Sequence, residues 1–444
     1  MLKKKITLFA ASLLALGSVT FLAGCAEKYD VSLTVYNWED YIYEGAEDGK
    51  KVDDSMIEKF QKYYAETHDG LKLKVFYKKF STNEELYTQI SQKSLKADLI
   101  CPSDYMIQKM ANEGRLLPFS YNETTDKYSK ALENWDTNSS PFIRDRFKNE
   151  KLNDGSCFLK YAVPYFWGTM GFVYDADYFE EEEVSSWEVL WSSEKKYQNQ
   201  FTLKDSVRDT YLTGIFHVYK DEIAALDKTA ADYNSKLSAI FNKCDDETVT
   251  KVGAAIKEAR TKTVRGFEVD TGKNEIVESK TFHGNLAWSG DAVYAMDCGD
   301  DANRNLHYVL PEEGSNVWFD GWCMPKGANQ ELAEEFVNFI CRPDNAALNM
   351  DAVGYTSPIV GSDMWEYVND TYAADEDETD TYDVDLSFYF GEVEGGAVIS
   401  IPTEDKGRQF DAQYPTEEQL KRCCIMKDFG AQQIKVDTMW QDIK

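Results

Sequence analysis

The sequence predicts an α/β protein built from about two large domains. Three observations predict it. The chain has 444 residues, too many for one hydrophobic core to organise. Short apolar runs at 33–36, 72–80 and 97–100 alternate with amphipathic stretches at 56–64 and 84–90. Parallel strands need a crossover between them, so strand–helix–strand–helix–strand at this spacing argues a parallel sheet flanked by helices. Several such runs also end in an aromatic residue and a carboxylate, and ligands of open α/β sheets bind beyond the carboxyl ends of the strands.

Residues 1–25 set the compartment. Lys3, Lys4 and Lys5 precede an apolar run that closes on Leu22, Ala23, Gly24 and Cys25. A basic region, an apolar region and a small-residue cleavage site form a secretory signal. The terminal Cys25 makes it similar to a bacterial lipoprotein signal, which implies lipidation of Cys25 and a protein tethered to the membrane rather than spanning it.

The first strand, around Leu33, Val35 and Tyr36, hands over at Asn37 to Trp38, Glu39, Asp40 and Tyr41. Two acids between two aromatic rings can grip an organic cation, the acids through charge-assisted hydrogen bonds and the rings through their faces. Ser55 with Glu58 forms a capping box ahead of a helix carrying Met56, Ile57, Phe60, Tyr63 and Tyr64, and Ser81 with Glu84 opens a second helix. The turn 101–105 places Ser103 and Tyr105 beyond a strand end, with Ser103 also suited to cap the helix that follows.

The run 162–174 is long, apolar and β-like, fitting a strand that crosses between domains. Asp209 lies where a strand at 203 turns into a helix, and 220–262 is helical in composition. Residues 263–281 read as a hairpin or loop. Trp288 and Asp291 repeat the earlier corner, as do Trp318 with Asp320. Pro343 stops a helix over 331–341, and Tyr355 sits in a turn ending at Pro358. The acid-rich stretch 367–413 reads as a solvated excursion. It is no EF-hand loop, because Asp380 stands where that loop requires glycine.

In order along the chain stand Tyr-Asn-Trp-x-x-Tyr-Ile (36–42), Pro-Ser-x-Tyr (102–105), Val-Pro-Tyr-x-Trp-Gly (163–168), Trp-x-Gly (288–290), Pro-x-Glu-Gly-x-x-x-Trp-x-Asp (311–320) and Gly-Tyr-x-x-Pro (354–358). This ordered set resembles the spermidine/putrescine-binding proteins of polyamine ABC transporters. The resemblance implies a two-lobed type II periplasmic-binding-protein fold, each lobe a mostly parallel sheet flanked by helices. The lobes would comprise 26–165 with 319–360, and 166–318 with 361–444, following a signal peptide over 1–25. It further implies that Trp38, Tyr41, Ser103, Tyr105 and Asp209 line the cleft between lobes together with Trp288, Trp318, Asp320 and Tyr355. Asp40 matches an acidic position of the family, and Asp291 matches an acid of putrescine-preferring members. Glu39 replaces a small hydroxyl residue, Asp209 replaces a Glu, and Ser206 stands where spermidine binders tend to have an Asp. On this basis Asp40 and Asp320 would hold one end of a ligand and Asp209 with Asp291 the other, while Glu39 could take a third ammonium. A permease is the implied partner and a monomer the implied state.

Charge and chemistry agree with a cation ligand. With 48 basic and 78 acidic side chains, a formal charge of −30, the protein repels nucleic acid and anionic lipid and attracts cations. A ligand-sensing lipoprotein is an alternative that the same residues would serve. A hydrolase is less well supported: GxSxG, HExxH and P-loop patterns are absent, and the four histidines have neither metal spacing nor a neighbouring cysteine. No cofactor or metal is expected. Eight cysteines follow Cys25, several within apolar runs, and most of them are expected to be free and buried.

Overall fold

The computed structural model describes residues 28–444 apart from Asp48, Ser129 and Asp270; Cys25 and the rest of the signal segment lie outside the described residues. The chain folds into two lobes, each organised by its own sheet and core. In the first lobe, strand Val31–Trp38 lies between Leu73–Phe80 and Leu99–Ile100, all parallel. Helices supply the crossovers. Ser55 and Glu58 form the expected capping box at the start of Met56–Thr67, which satisfies two of the amide groups that a helix start leaves open. The next helix, Asn83–Ser91, is capped by Thr82 rather than Ser81: the Thr82 hydroxyl accepts from the Glu85 amide at 3.1 Å.

The second lobe holds a seven-stranded mixed sheet. Strands Val264–Glu268, Phe201–Lys204 and Gly284–Trp288 run parallel, and the last is antiparallel to Val163–Asp175. That thirteen-residue strand is buried along its whole length and carries the chain between lobes. Trp167 and the residues before it pack into the first core, whereas Met170 and Phe172 pack into the second. Ser315–Trp322 pairs antiparallel with it, with a register shift after Asp320. The two crossing strands thus carry Trp318 and Asp320 across the junction of the lobes.

Three segments differ from the sequence reading. Residues 263–281 form strand Val264–Glu268 and helix Gly272–Glu278 rather than a hairpin or loop; Arg265, Gly266 and Glu268 leave the strand only two apolar residues and hid it. The acid-rich stretch 367–413 is folded: Thr381–Asp385 and Val398–Pro402 pair antiparallel, and Leu386, Tyr389, Ile399 and Ile401 are buried in the first core. Acids alternate there with apolar side chains, so one face of the hairpin packs while the other meets water. For the same reason the chain after 360 does not all join the second lobe. Residues through Leu420 bury mainly with the first, Cys424 and Met426 with the second, and Val436 with Trp440 against the helices at 207–218 and 246–262. The eight described cysteines are unbridged, and all but Cys244 are buried. Among the described residues, no helix is long and apolar enough to cross a membrane.

Candidate functional site

The site assembles where the crossing strands meet the carboxyl ends of both sheets. Asp320 is buried there. One of its oxygens accepts a 2.7 Å hydrogen bond from the Tyr41 hydroxyl, and Ser103 faces it across the isolated bridge between the two residues. Its other oxygen, Oδ1, is buried with no hydrogen-bond partner among the described residues. Burial pushes the carboxyl up to about 6, which the Ser103 and Tyr41 hydroxyls only partly oppose.

Asp209 comes from the other lobe, in the first turn of helix Val207–Val218 behind the N-cap Ser206. Burial pushes it, too, up to about 6, against the pull of Ser206, Lys204, Trp288 and Arg208. Among the described residues neither acid has a basic side chain within ion-pairing distance. Two buried carboxylates without a close ion-pair partner are costly unless something cationic arrives.

Beside Asp320 stands an aromatic wall that begins at Tyr41. The Trp318 and Tyr355 rings meet edge to face with centroids 5.1 Å apart, and Tyr355 meets Tyr41 likewise at 5.6 Å. The Trp318 indole is fixed by a 3.3 Å bond to the Thr169 carbonyl. The Tyr355 hydroxyl donates to Asp291 at 3.2 Å, tying the first lobe to the start of helix Ser289–Asp301. This approach needs Gly290, where a Cβ would lie 2.3 Å from the Tyr355 ring. Gly290→Ala is therefore expected to displace Tyr355 and weaken ligand binding about tenfold or more, measured by calorimetry, with the melting temperature falling by only a few degrees.

Once this geometry is set beside known proteins, relatives emerge. The family described as bacterial extracellular solute-binding proteins matches residues 55–377, nearly three quarters of the chain. The chain belongs to that family. Among its curated relatives is a spermidine/putrescine-binding periplasmic protein of Salmonella typhimurium, 28 % identical over 353 residues, covering 79 % of this chain and 83 % of the relative. A putrescine-binding periplasmic protein of Escherichia coli is 27 % identical over 349 residues, covering 76 % and 81 %. In fold the chain resembles a spermidine/putrescine ABC transporter substrate-binding protein of Streptococcus pneumoniae (TM-score 0.61, 23 % identity, 93 % of this chain and 98 % of that one). It also resembles a lipoprotein of Treponema pallidum (TM-score 0.62, 17 % identity, 93 % and 99 %). The protein is a solute-binding protein and not an enzyme, and the family places it outside the cytoplasm.

The remaining predicted residues of this solute-binding protein fall into two groups. Ser103 occupies the N-cap position of Asp104–Asn112 but makes no capping bond; its hydroxyl accepts from the Asn83 side chain at 3.1 Å. Tyr105 donates to Glu84 at 3.0 Å, and the Arg208 guanidinium covers its ring at 4.1 Å. Trp38 is half-buried against Phe80 at 4.5 Å, with its indole N–H buried and lacking a partner among the described residues.

Three acids depart from expectation. Asp40 adopts a left-handed backbone (φ 50°) that turns its side chain outward; it is 92 % exposed and 3.5 Å from Lys79. The expected Asp40–Asp320 cluster does not form, and the Tyr41 hydroxyl meets Asp320 instead. Glu39 is exposed beside Asp40. Asp291 is buried but already neutralised, with Lys273 at 2.9 Å on one oxygen and Lys204 at 3.6 Å on the other. Burial alone would raise it, yet the two lysines hold it below the usual carboxylate range.

Sequence reasoning missed both lysines, Arg208 and Asp104. Asp104 is buried next to Ser103 and Tyr105, and burial, reinforced by Asp320, pushes its carboxyl well above the ordinary range. Its position between two predicted site residues was the available signal. Lys204, a charge at the end of an apolar strand, was another.

Proposed function

We propose that this protein captures a linear polyamine of the putrescine–spermidine class in the cleft and delivers it to an ABC-transporter permease, while a lipid on Cys25 holds it at the outer face of the membrane. The observation that carries the reading is the pair Asp209 and Asp320, one from each lobe, buried and without a basic partner within ion-pairing distance among the described residues. A linear polyamine has ammonium groups joined by short methylene runs. Each buried ammonium requires a carboxylate, and each methylene run prefers an apolar wall. Asp209 and Asp320 meet the first need. Trp318, Tyr355 and Tyr41 meet the second, with Trp38, Ser103, Tyr105 and Trp288 completing the lining. The names of the Salmonella and Escherichia relatives support the same class of ligand.

Calorimetry of the purified protein with putrescine, cadaverine, spermidine and spermine tests the reading. Saturable one-to-one binding of at least one of them is the expected result; heat of dilution alone with all four would overturn it. For the anchor, Cys25→Ser is expected to leave an unprocessed precursor that takes up no labelled fatty acid. Normal labelling of that variant would move the attachment site elsewhere.

A further inference from the structure

The Trp288 end of the cleft already contains a cation. Lys204 is fully buried at the end of strand Phe201–Lys204. Its ammonium lies 4.4 Å from the centre of the Trp288 ring, 3.1 Å from Glu268 and 3.6 Å from Asp291, and donates to the Val269 carbonyl at 3.1 Å. Glu268 is in turn fixed by the Gly272 amide at 2.8 Å and the Asn285 side chain at 3.1 Å. Lys273 approaches Asp291 from its other side at 2.9 Å. The ammonium groups of Lys204 and Lys273 thus face the carboxylates of Glu268 and Asp291, and Asp291 is already paired. A charge on an aromatic face between two acids is the environment that a polyamine ammonium would seek.

We infer that Lys204 takes the place of one ammonium of a longer polyamine, so that the cleft selects a diamine over a triamine. The inference rests on the proposed function and narrows it. A diamine brings two positive charges to the two acids that lack a basic side chain within ion-pairing distance among the described residues, Asp209 and Asp320. A third ammonium directed toward Trp288 would meet Lys204 and Lys273, two like charges in a buried setting, where repulsion is strong. Asp291, which by itself would invite that ammonium, is already occupied.

The test compares the dissociation constants of putrescine and spermidine by calorimetry. The wild-type protein is expected to favour putrescine by about tenfold or more. The double variant Lys204→Met with Glu268→Gln removes the buried cation without leaving Glu268 unpaired, and is expected to shift the ratio toward spermidine by about tenfold. Lys273→Gln alters a more exposed member of the cluster and is expected to move the ratio the same way by a smaller factor; Lys204→Arg, which keeps the charge, is expected to leave the preference for putrescine in place. Wild-type protein that binds spermidine as tightly as putrescine overturns the inference while leaving polyamine capture intact. An unchanged ratio in both charge-removing variants, measured on protein that still binds putrescine, overturns it as well. Absence of binding to any linear amine by the wild type would instead remove the proposed function on which it stands.

Discussion

Asp320→Asn and Asp209→Asn are each expected to weaken diamine binding by about 2–5 kcal/mol, a loss of roughly 30- to several-thousand-fold, because each leaves a buried ammonium without its charge partner. The same substitutions are expected to stabilise the protein when no ligand is present. The sign follows from the protonation states. Each carboxyl titrates near 3.8 in the unfolded chain and is pushed up to about 6 by burial in the fold. Folding at neutral pH therefore carries an ionised group into an environment that disfavours the charge, at a penalty on the order of 2–3 kcal/mol per site. Asparagine removes that penalty and keeps an oxygen to accept from Tyr41 at position 320. Thermal melts at pH 7 should show both variants melting above wild type without ligand, and gaining little from added putrescine, whereas wild type gains strongly. Below about pH 3, where the wild-type carboxyls are protonated in both states, the stability difference should vanish. Variants that bind putrescine like wild type would remove Asp209 and Asp320 from the site.

These acids also show where sequence was informative. The parallel first sheet, the capping box at Ser55, the long crossing strand and the strand-to-helix corner at Trp288 were legible, because each depends on local periodicity or on residues adjacent in the chain, whereas Trp318 and Asp320 lie within strand Ser315–Trp322 and not at a corner. What sequence could not show was pairing. Asp40 and Asp291 look as available as Asp209 and Asp320 when read along the chain. Only the fold turns Asp40 outward through a left-handed residue and brings Lys204 and Lys273 to Asp291 from two separate elements. Lys204 and Asp291 are 87 positions apart in sequence, and no spacing rule connects them. The folded hairpin within 367–413 was hidden for a related reason. Its surface acids dominate the composition, while the alternate apolar residues bury against a core formed hundreds of residues earlier.

Affinity for a diamine is expected to fall about 100-fold between pH 7 and pH 5. Holding two ammonium groups requires Asp209 and Asp320 to be ionised, and in the ligand-free protein both are pushed up to about 6. Above that value they are already charged and binding needs no proton release. Below it, each must first lose a proton, which weakens binding about tenfold per pH unit for each acid, so the two together give roughly two orders of magnitude by pH 5. The ligand stays fully protonated throughout, since alkylammonium groups titrate near 10, so the change belongs to the protein. Asp291 contributes nothing in this window because Lys204 and Lys273 hold it below the ordinary range. Calorimetry in buffers of different ionisation enthalpy should therefore count close to two protons released per ligand at pH 5 and close to none above pH 7. In Asp320→Asn or Asp209→Asn the pH slope should halve along with the loss of affinity. A flat profile from pH 7 to 5 would show that the two carboxyls remain charged without ligand, and that a basic group compensates them before the amine arrives.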